Sequence, residues 1–450
     1  METLSQILVV VIFVAMFVVI TIGKVHRYIP AMIGAALVLI VLLVVLRSPD
    51  AAIAVLNFRE MGTIIFWYPG HEHLASHGIN WQTIIFIAGM MTMVEGMAHA
   101  GFFRWLCLLV AKLLNYKVAP IFIAFMVLSA FLSMFIDSIT VLLFLASVTI
   151  ELARMLKFNP VPMIIAEIFA ANTGGSATMA GDPPNIIIGT AHGYSFMDFL
   201  VNTGPIAWIS MVVVVGFFYF AYRKSLVSQH INATDRKKYP LPGEAITNRR
   251  LFLMSSAIFL LTVILLITHA MTGISVATIG VIAAALTLLT LGREMPQVIK
   301  RFDWRTILFF IGLFVVVGGL EVTHALKVLA GYIESISGGN TIVMMTIILW
   351  VSAFASAIVD NIPFAATMVP VISNLASGPE MLRSFSWTLA LGTDIGGNAT
   401  PIGASANVVG TAIAEREGYP ISWGKFMKTA APAMILVLAI CWVLLYFWHF

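Results

Sequence analysis

Asp137 and Asp360 stand inside otherwise apolar segments, 223 residues apart. A carboxylate at membrane depth costs roughly 2.5–3.5 kcal/mol on insertion scales, so a charge there without a task would be hard to keep. A small polar residue follows each, Ser138 and Asn361. Two tasks suit that pattern and do not exclude each other: binding Na+ or H+, and capping a helix that starts at a hairpin tip. The stretches Asn172 to Asn185 and Asp394 to Asn407 carry a different chemistry. Both are rich in glycine and small polar residues, and the first contains Pro183-Pro184, so neither reads as a continuous helix. Broken helices at membrane depth offer carbonyls to a cation, hydroxyls and amides to a solute, and a helix N-terminus to an anion. The solute candidates are Asn172, Thr173, Gly174, Gly175, Ser176, Thr178 and Asn185 in one stretch, and Gly396, Gly397, Asn398, Thr400, Ser405 and Asn407 in the other.

Asp182, Asp394 and Glu167, the last about a turn ahead of Asn172, join Asp137, Ser138, Asp360 and Asn361 as candidates for the coupling ion or proton. A bound Na+ is expected near Asp137, Asn172, Asp360 and Asn398, and no other cofactor is expected. Glu95 and Glu321 also lie in apolar spans but do not align with each other, and they read as helix–helix hydrogen-bonding groups. His99 and His324 sit near span ends, where interfacial solvation is the default and a proton relay the alternative.

The elements that must position these residues belong in a bilayer. Of 450 residues, 60% are hydrophobic and 10% charged, against about 25% charged in a soluble chain. The apolar residues come in blocks of roughly 18 to 22, the length that crosses about 30 Å of hydrocarbon. The first block, Leu8 to Ile22, follows a leader with no positive n-region and reads as a retained span. Cys107 and Cys441 are too few and too distant in sequence for a disulfide frame or a thiolate metal site. The formal charge of +4 is placed as a topology signal, which leaves no nucleic-acid patch.

Internal repetition organises the chain. Trp81-Gln82-Thr83-Ile84 and Gly89 match Trp304-Arg305-Thr306-Ile307 and Gly312 at an offset of 223, the offset that also relates Asp137 to Asp360. Gly174-Gly175-Ser176-Ala177-Thr178, Gly181 and Asn185 match Gly396-Gly397-Asn398-Ala399-Thr400, Gly403 and Asn407 at 222. The reading is an all-α integral membrane protein of two repeats, 1–222 and 251–450, joined by a polar linker at 223–250. Each repeat has five spans, one re-entrant hairpin tipped by its Asp and one broken helix, giving ten spans and two hairpins from about 12 hydrophobic segments. An odd number of crossings inverts one repeat relative to the other. Arg223, Lys224, Arg236, Lys237, Lys238, Arg249 and Arg250 put the linker in the cytoplasm by the positive-inside rule. Lys24, Arg27, Arg104, Lys112, Lys117, Arg293, Lys300, Arg301, Lys425 and Lys428 then fall on the same side, and the loop 47–80 outside. Twelve full spans are the alternative. Within the matched repeats Ser176 corresponds to Asn398 and Asp182 to Ala404, so the first repeat carries more acid and is expected to favour the coupling ion.

At these motifs the chain resembles the ion transporter superfamily. The blocks Phe135-Ile136-Asp137-Ser138-Ile139-Thr140, Ala166-Glu167, Asn172 through Thr178, Gly181-Asp182-Pro183-Pro184-Asn185 and Asp360-Asn361-Ile362-Pro363 are closest to the branch of arsenite efflux permeases, D-type Na+/H+ antiporters and the melanosomal P protein. Gly396 through Asn407 is similar to the P protein pattern in particular. The resemblance covers essentially the whole chain and implies a scaffold and a transport domain moving by an elevator-like step, often in a homodimer. It also implies a soluble ATPase subunit if the chain is an arsenite pump. Dicarboxylate transporters of the superfamily carry Ser-Asn-Thr in both halves, and the matching places here read Ala171-Asn172-Thr173 and Gly397-Asn398-Ala399-Thr400, a departure from that pattern.

The expected function is a secondary active transporter of the plasma membrane, coupled to H+ or Na+ and moving a small inorganic anion or metalloid such as arsenite. Arsenite is an uncharged trihydroxy species at neutral pH, which the hydroxyls and amides suit. Na+/H+ antiport, leaning on Asp137, Asp182, Asp360 and Asp394, is one alternative, and di- or tricarboxylate symport another. A passive anion channel would use the same helix N-termini. An enzyme is not expected, because no nucleophile–base pair or HExxH-like metal spacing is present.

Overall fold

The computed structural model describes residues 2–70, 78–226 and 239–450. The first half runs α1 (Glu2–Ile22), α2 (Tyr28–Ile40), α3 (Pro49–Leu56), α4 (Phe58–Met61), α5 (Ile64–Trp67), α6 (Trp81–His99), α7 (Phe102–Leu113), α8 (Val118–Ser133), α9 (Ser138–Leu156), α10 (Val161–Gly175), α11 (Pro183–His192) and α12 (Phe196–Tyr222). The second runs α13 (Arg249–Thr272), α14 (Val276–Leu291), α15 (Met295–Arg301), α16 (Trp304–Val322), α17 (Ala325–Ser337), α18 (Thr341–Ile358), α19 (Asn361–Leu375), α20 (Pro379–Gly396), α21 (Ser405–Arg416) and α22 (Trp423–His449). Among the described residues ten helices are long and apolar enough to cross a membrane, and the protein is a multi-pass membrane protein. That ten equals the expected number of crossings, but its membership differs. It includes α9 and α18, which are hairpin arms, and leaves out the two crossings that are broken into α10/α11 and α20/α21.

Matched positions in the two halves start matched helices. Asn80 caps α6 by accepting from the Thr83 amide, and Asp303 caps α16 by accepting from the Arg305 and Thr306 amides. Asp137 and Asp360 do the same for α9 and α19. Each cap satisfies amides that have no partner inside their own helix.

The helices pack as two bundles. In one, α6 lies on α14 and α16 on α2, with α1 and α13 alongside. Gly89 meets the backbone of Gly280, and Gly312 meets that of Ala31, so closely that a Cβ on either glycine would fall within 2.2 and 2.6 Å of main-chain atoms. Such backbone-on-backbone contact is how membrane helices gain dispersion energy where lipid offers no hydrophobic drive. α6 and α16 run in opposite directions. Glu95, near the end of α6, bonds Arg301 just ahead of α16, while Gly318, near the end of α16, lies against Gly78 just ahead of α6.

The second bundle holds α8 to α12 and α18 to α22. α8 and α9 form one hairpin, whose base lies on the linker face: Tyr116 donates to the Pro240 carbonyl, and Arg154 pairs with Glu417. α18 and α19 form the other, and its base lies on the opposite face, where Ser384 donates to the His449 carbonyl and Ser373 meets His192. The two hairpin tips therefore approach each other from opposite sides. Arg236, Lys237 and Lys238 of the linker lie outside the described residues.

Candidate functional site

Both helix breaks are shorter than the polar stretches that signal them. α10 stays helical to Gly175, so Asn172 to Gly175 are in its last turn, and α11 begins at Pro183. The two prolines occupy the first turn of α11, where a missing amide leaves nothing unsatisfied. In the second half α20 ends at Gly396, Gly397–Ala399 form a 3₁₀ turn, and α21 begins at Ser405.

Carbonyls freed by the breaks are claimed by asparagine. The Asn185 amide donates to the Gly175 and Thr178 carbonyls at 3.1 and 3.0 Å, and the Asn407 amide donates to those of Gly397 and Thr400 at 2.7 Å each. These four carbonyls each accept a hydrogen bond inside the protein. The hydroxyls are engaged as donors as well. Thr173 donates to the Phe169 carbonyl, Ser176 to that of Thr173, Thr178 to that of Met134 and Thr400 to that of Ala357.

Between the breaks the two halves meet directly. The Asn172 amide donates to Asn398 Oδ1 at 3.0 Å and to Asn407 Oδ1 at 2.9 Å, with all three residues fully buried. Asp182 takes one hydrogen bond from each hairpin tip: Ser138 Oγ reaches Oδ1 at 2.9 Å, and Asn361 Nδ2 reaches Oδ2 at 2.9 Å. Asp394 lies against Asp182, Asn185 and Asn361, but no donor reaches either of its carboxylate oxygens with the distance and angle of a well-formed hydrogen bond. Asn172 Oδ1 and Asn185 Oδ1 are also buried without a donor, whereas Asn398 Nδ2 is the one orphaned donor of this cluster. The kernel thus has a surplus of acceptors. Two carboxylates in one dry site demand a proton or a cation between them. The acid is also less segregated than the repeat alignment suggests, because Asp182 of the first half and Asp394 of the second share this place.

The other predicted acids lie elsewhere. Asp137 spends both oxygens inside its own helix, accepting from the Thr140 amide at 2.9 Å and the Thr140 hydroxyl at 2.7 Å. Glu167 does not face the break. Its carboxylate accepts from Thr149 of α9 at 2.5 Å, with the second oxygen buried and unpaired. His99 pairs with Glu294 at 2.6 Å, Glu95 with Arg301 at 3.5 Å, and His324 is the residue in left-handed conformation that starts α17.

Two cavities flank the kernel along the seam between the bundles. One, of about 230 Å³, is lined on the linker side by Arg27, Asp137, Ala180, Pro183, Asp303 and Thr306 among others. The other, of about 320 Å³, is lined by Gln82, Met179, Thr190, Asp198, His269 and Ser275 among others. Arg27 is a residue that sequence reasoning assigned to topology alone. Its guanidinium donates to Asp360 Oδ2 at 2.9 Å, to Ser405 Oγ and to Thr306 Oγ1 at 3.3 Å. Its one signal was its place ahead of an apolar run, which the positive-inside rule explains by itself.

The comparisons with known proteins agree with this architecture. Residues 15–392 match the family model described as "Citrate transporter". A 46 kDa membrane protein of Mycobacterium leprae is 32% identical over 446 residues, covering 98% of both chains. An uncharacterized transporter of Mycobacterium tuberculosis is 33% identical over 446 residues, covering 98% of this chain and 97% of its own. The human P protein is 29% identical over 505 residues, covering 93% of this chain and 57% of its own. Among solved structures, the YdaH transporter of Alcanivorax borkumensis superposes with a TM-score of 0.58 at 14% identity over 90% of each chain, a likeness of fold alone.

Proposed function

This chain belongs to the citrate transporter family and is a membrane transporter, and from that premise we propose that it is a secondary active transporter of a small anion or a metalloid such as arsenite, coupled to H+ or Na+. The observation that carries the coupling is the kernel. Asp182 and Asp394 share a dry site in which buried acceptors outnumber buried donors, and such a site holds a cation or a proton and repels an anion. The substrate then occupies a different place, and the seam cavities beside the kernel are wide enough for a small solute. The second bundle is the moving body and the first the scaffold, with inverted halves at 1–222 and 251–450 and the 223–250 linker in the cytoplasm of a plasma-membrane homodimer. The family description favours a di- or tricarboxylate as the second substrate class, and the acceptor-rich kernel equally suits Na+/H+ antiport.

Purified protein in liposomes, loaded with imposed proton or sodium gradients, tests this with arsenite, citrate and radioactive Na+ as probes. Wild-type flux should follow one of the two gradients, and Asp182→Asn and Asp394→Asn should each abolish that dependence. Flux indifferent to both gradients would identify a passive channel and sink the reading.

A further inference from the structure

We propose that Arg27 is an internal stand-in for the coupling cation at Asp360, occupying that carboxylate in the conformation described here and leaving it when the bundles slide. This rests on the transporter reading above and adds a second charge-balancing place, distinct from the kernel.

Arg27 belongs to the scaffold. It starts α2, donates to Thr306 of α16 and lies 4.8 Å from the ring centroid of Phe309. Asp360 and Ser405 belong to the other bundle, at the hairpin tip and at the start of α21. Ser405 Oγ donates to the same Asp360 oxygen at 2.7 Å, so the guanidinium closes a three-membered polar group across the seam. With side chains 25% and 13% exposed, the pair is shielded from water well beyond an ordinary surface ion pair. The cavity's other charged groups have their own partners. Glu95 pairs with Arg301, Asp137 accepts from Thr140, and Asp303 accepts from Thr306 at 2.6 Å. His26, the neighbour of Arg27, meets Arg305.

The repeat supplies an internal control. The counterpart of Asp360 is Asp137, and the counterpart of Arg27, at the start of the matching helix α14, is Ser275. Ser275 caps its own helix through the Thr278 amide, and Asp137 crosses no seam. Among the described residues the first half therefore has no equivalent ion pair.

The same comparison says how the pair breaks. On the face away from the linker, Asn80 and Thr83 of the scaffold bond Thr190 of α11 at 2.9 and 2.7 Å. The matching residues on the linker face are Asp303, Thr306 and Ala412 of α21. Thr306 instead shares Arg27 with Ser405, seven residues earlier on α21 than Ala412. Seven residues of helix span about 10 Å. Exchanging the two relations slides the second bundle by about that distance, far past the ~4 Å reach of an ion pair. Asp360, abandoned in a low dielectric, then requires a cation of its own.

The test titrates Na+ (against choline) and, separately, pH, using thermal stabilisation of the detergent-solubilised full chain as the binding readout. Removing the competing guanidinium with Arg27→Gln should lower the half-saturating Na+ or proton concentration about five- to tenfold, as for a partly shielded pair. Arg27→Lys, which keeps the charge, should shift it less and guards against misfolding of the first variant. In an Asp360→Asn background Arg27→Gln should do nothing further. In liposomes, Arg27→Gln should loosen coupling, and a Cys pair introduced by Asp303→Cys and Ala412→Cys should cross-link more readily in it. Cys107 and Cys441 are buried and do not compete. Equal half-saturation in wild type and Arg27→Gln, or an undiminished effect of Arg27→Gln on Asp360→Asn, overturns the inference. Loss of gradient-driven flux in the wild type overturns the transporter reading instead.

Discussion

Gly174→Ala and Gly396→Ala form a matched pair whose cost can be worked from the structure. A Cβ on Gly174 would stand 2.2 Å from the carbonyl oxygen of Ala130 in α8, and one on Gly396 would stand 2.2 Å from Cα of Ala353 in α18. Ordinary contact begins at 3.4 Å, so each hairpin arm would have to retreat by 1.2 Å from the broken helix it braces. The obstacle is backbone, which has no rotamer to swing away. Overpacking of this kind costs about 1–3 kcal/mol, and the helix preference of Ala over Gly returns about 0.5–1 kcal/mol. A net loss of about 1 kcal/mol corresponds to a factor of about 5 in the folded-to-unfolded ratio. The retreat would also pull Ser138 or Asn361 from Asp182, so flux should fall by more than the loss of folded protein accounts for. Gly216→Ala on α12 is the control, because a Cβ there meets nothing within 4 Å. Thermal unfolding in detergent and flux in liposomes check both arms. If Gly174→Ala proved as stable and as active as Gly216→Ala, the idea that the glycines set the hairpin-to-break distance would be refuted.

Two further outcomes follow from the hydrogen bonds. Asn172→Ala removes the amide that ties the halves together and leaves Asn398 Oδ1 and Asn407 Oδ1 buried without a donor; at about 1–3 kcal/mol per orphaned group it should lower thermal stability by about 2–6 kcal/mol, and a midpoint within a degree of wild type would contradict this. Asp137→Asn keeps a capping oxygen for the Thr140 amide and should leave ion dependence of flux within about twofold of wild type, whereas Asp360→Asn should alter it. Equal responses of the two variants would remove the distinction between a carboxylate spent inside its helix and one that crosses the seam.

What the sequence made legible were residues whose type conflicts with their surroundings. Asp137 and Asp360 stood out because a charge in an apolar run is expensive, and the fixed offset made each the other's control. The breaks stood out because glycine and proline cluster where helix was due. Bonding within the breaks was not legible, because whether a freed carbonyl faces a cation or an asparagine amide depends on how the chain folds back over several residues. Glu167 illustrates a different failure. It precedes Asn172 by five residues, which places it about 140° around the helix, so it faces α9 and Thr149 and turns from the break. Arg27 was hidden by an explanation that was sufficient without being complete.

The asymmetry between the halves follows from where the acids are, not from how many each half carries. Asn172 aligns with Asp394 and Asp182 with Ala404, yet the fold brings Asp182 and Asp394 to one place, so a pair of unequal positions yields one charged centre and not two weaker copies. Asp182 takes a bond from both hairpin tips, Ser138 from one face and Asn361 from the other, so a cation or proton arriving there disturbs both hairpins at once. Asp360 answers to one hairpin and to the scaffold through Arg27. Occupancy of the kernel can therefore reach Asp360 through the adjacent residue Asn361, whose side chain bonds Asp182 while Asp360 caps the same helix end. Under the proposed function, loading is registered at Asp182 and Asp394, and the position of the second bundle at Asp360. The one-residue step between Asp360 and Asn361 links the two.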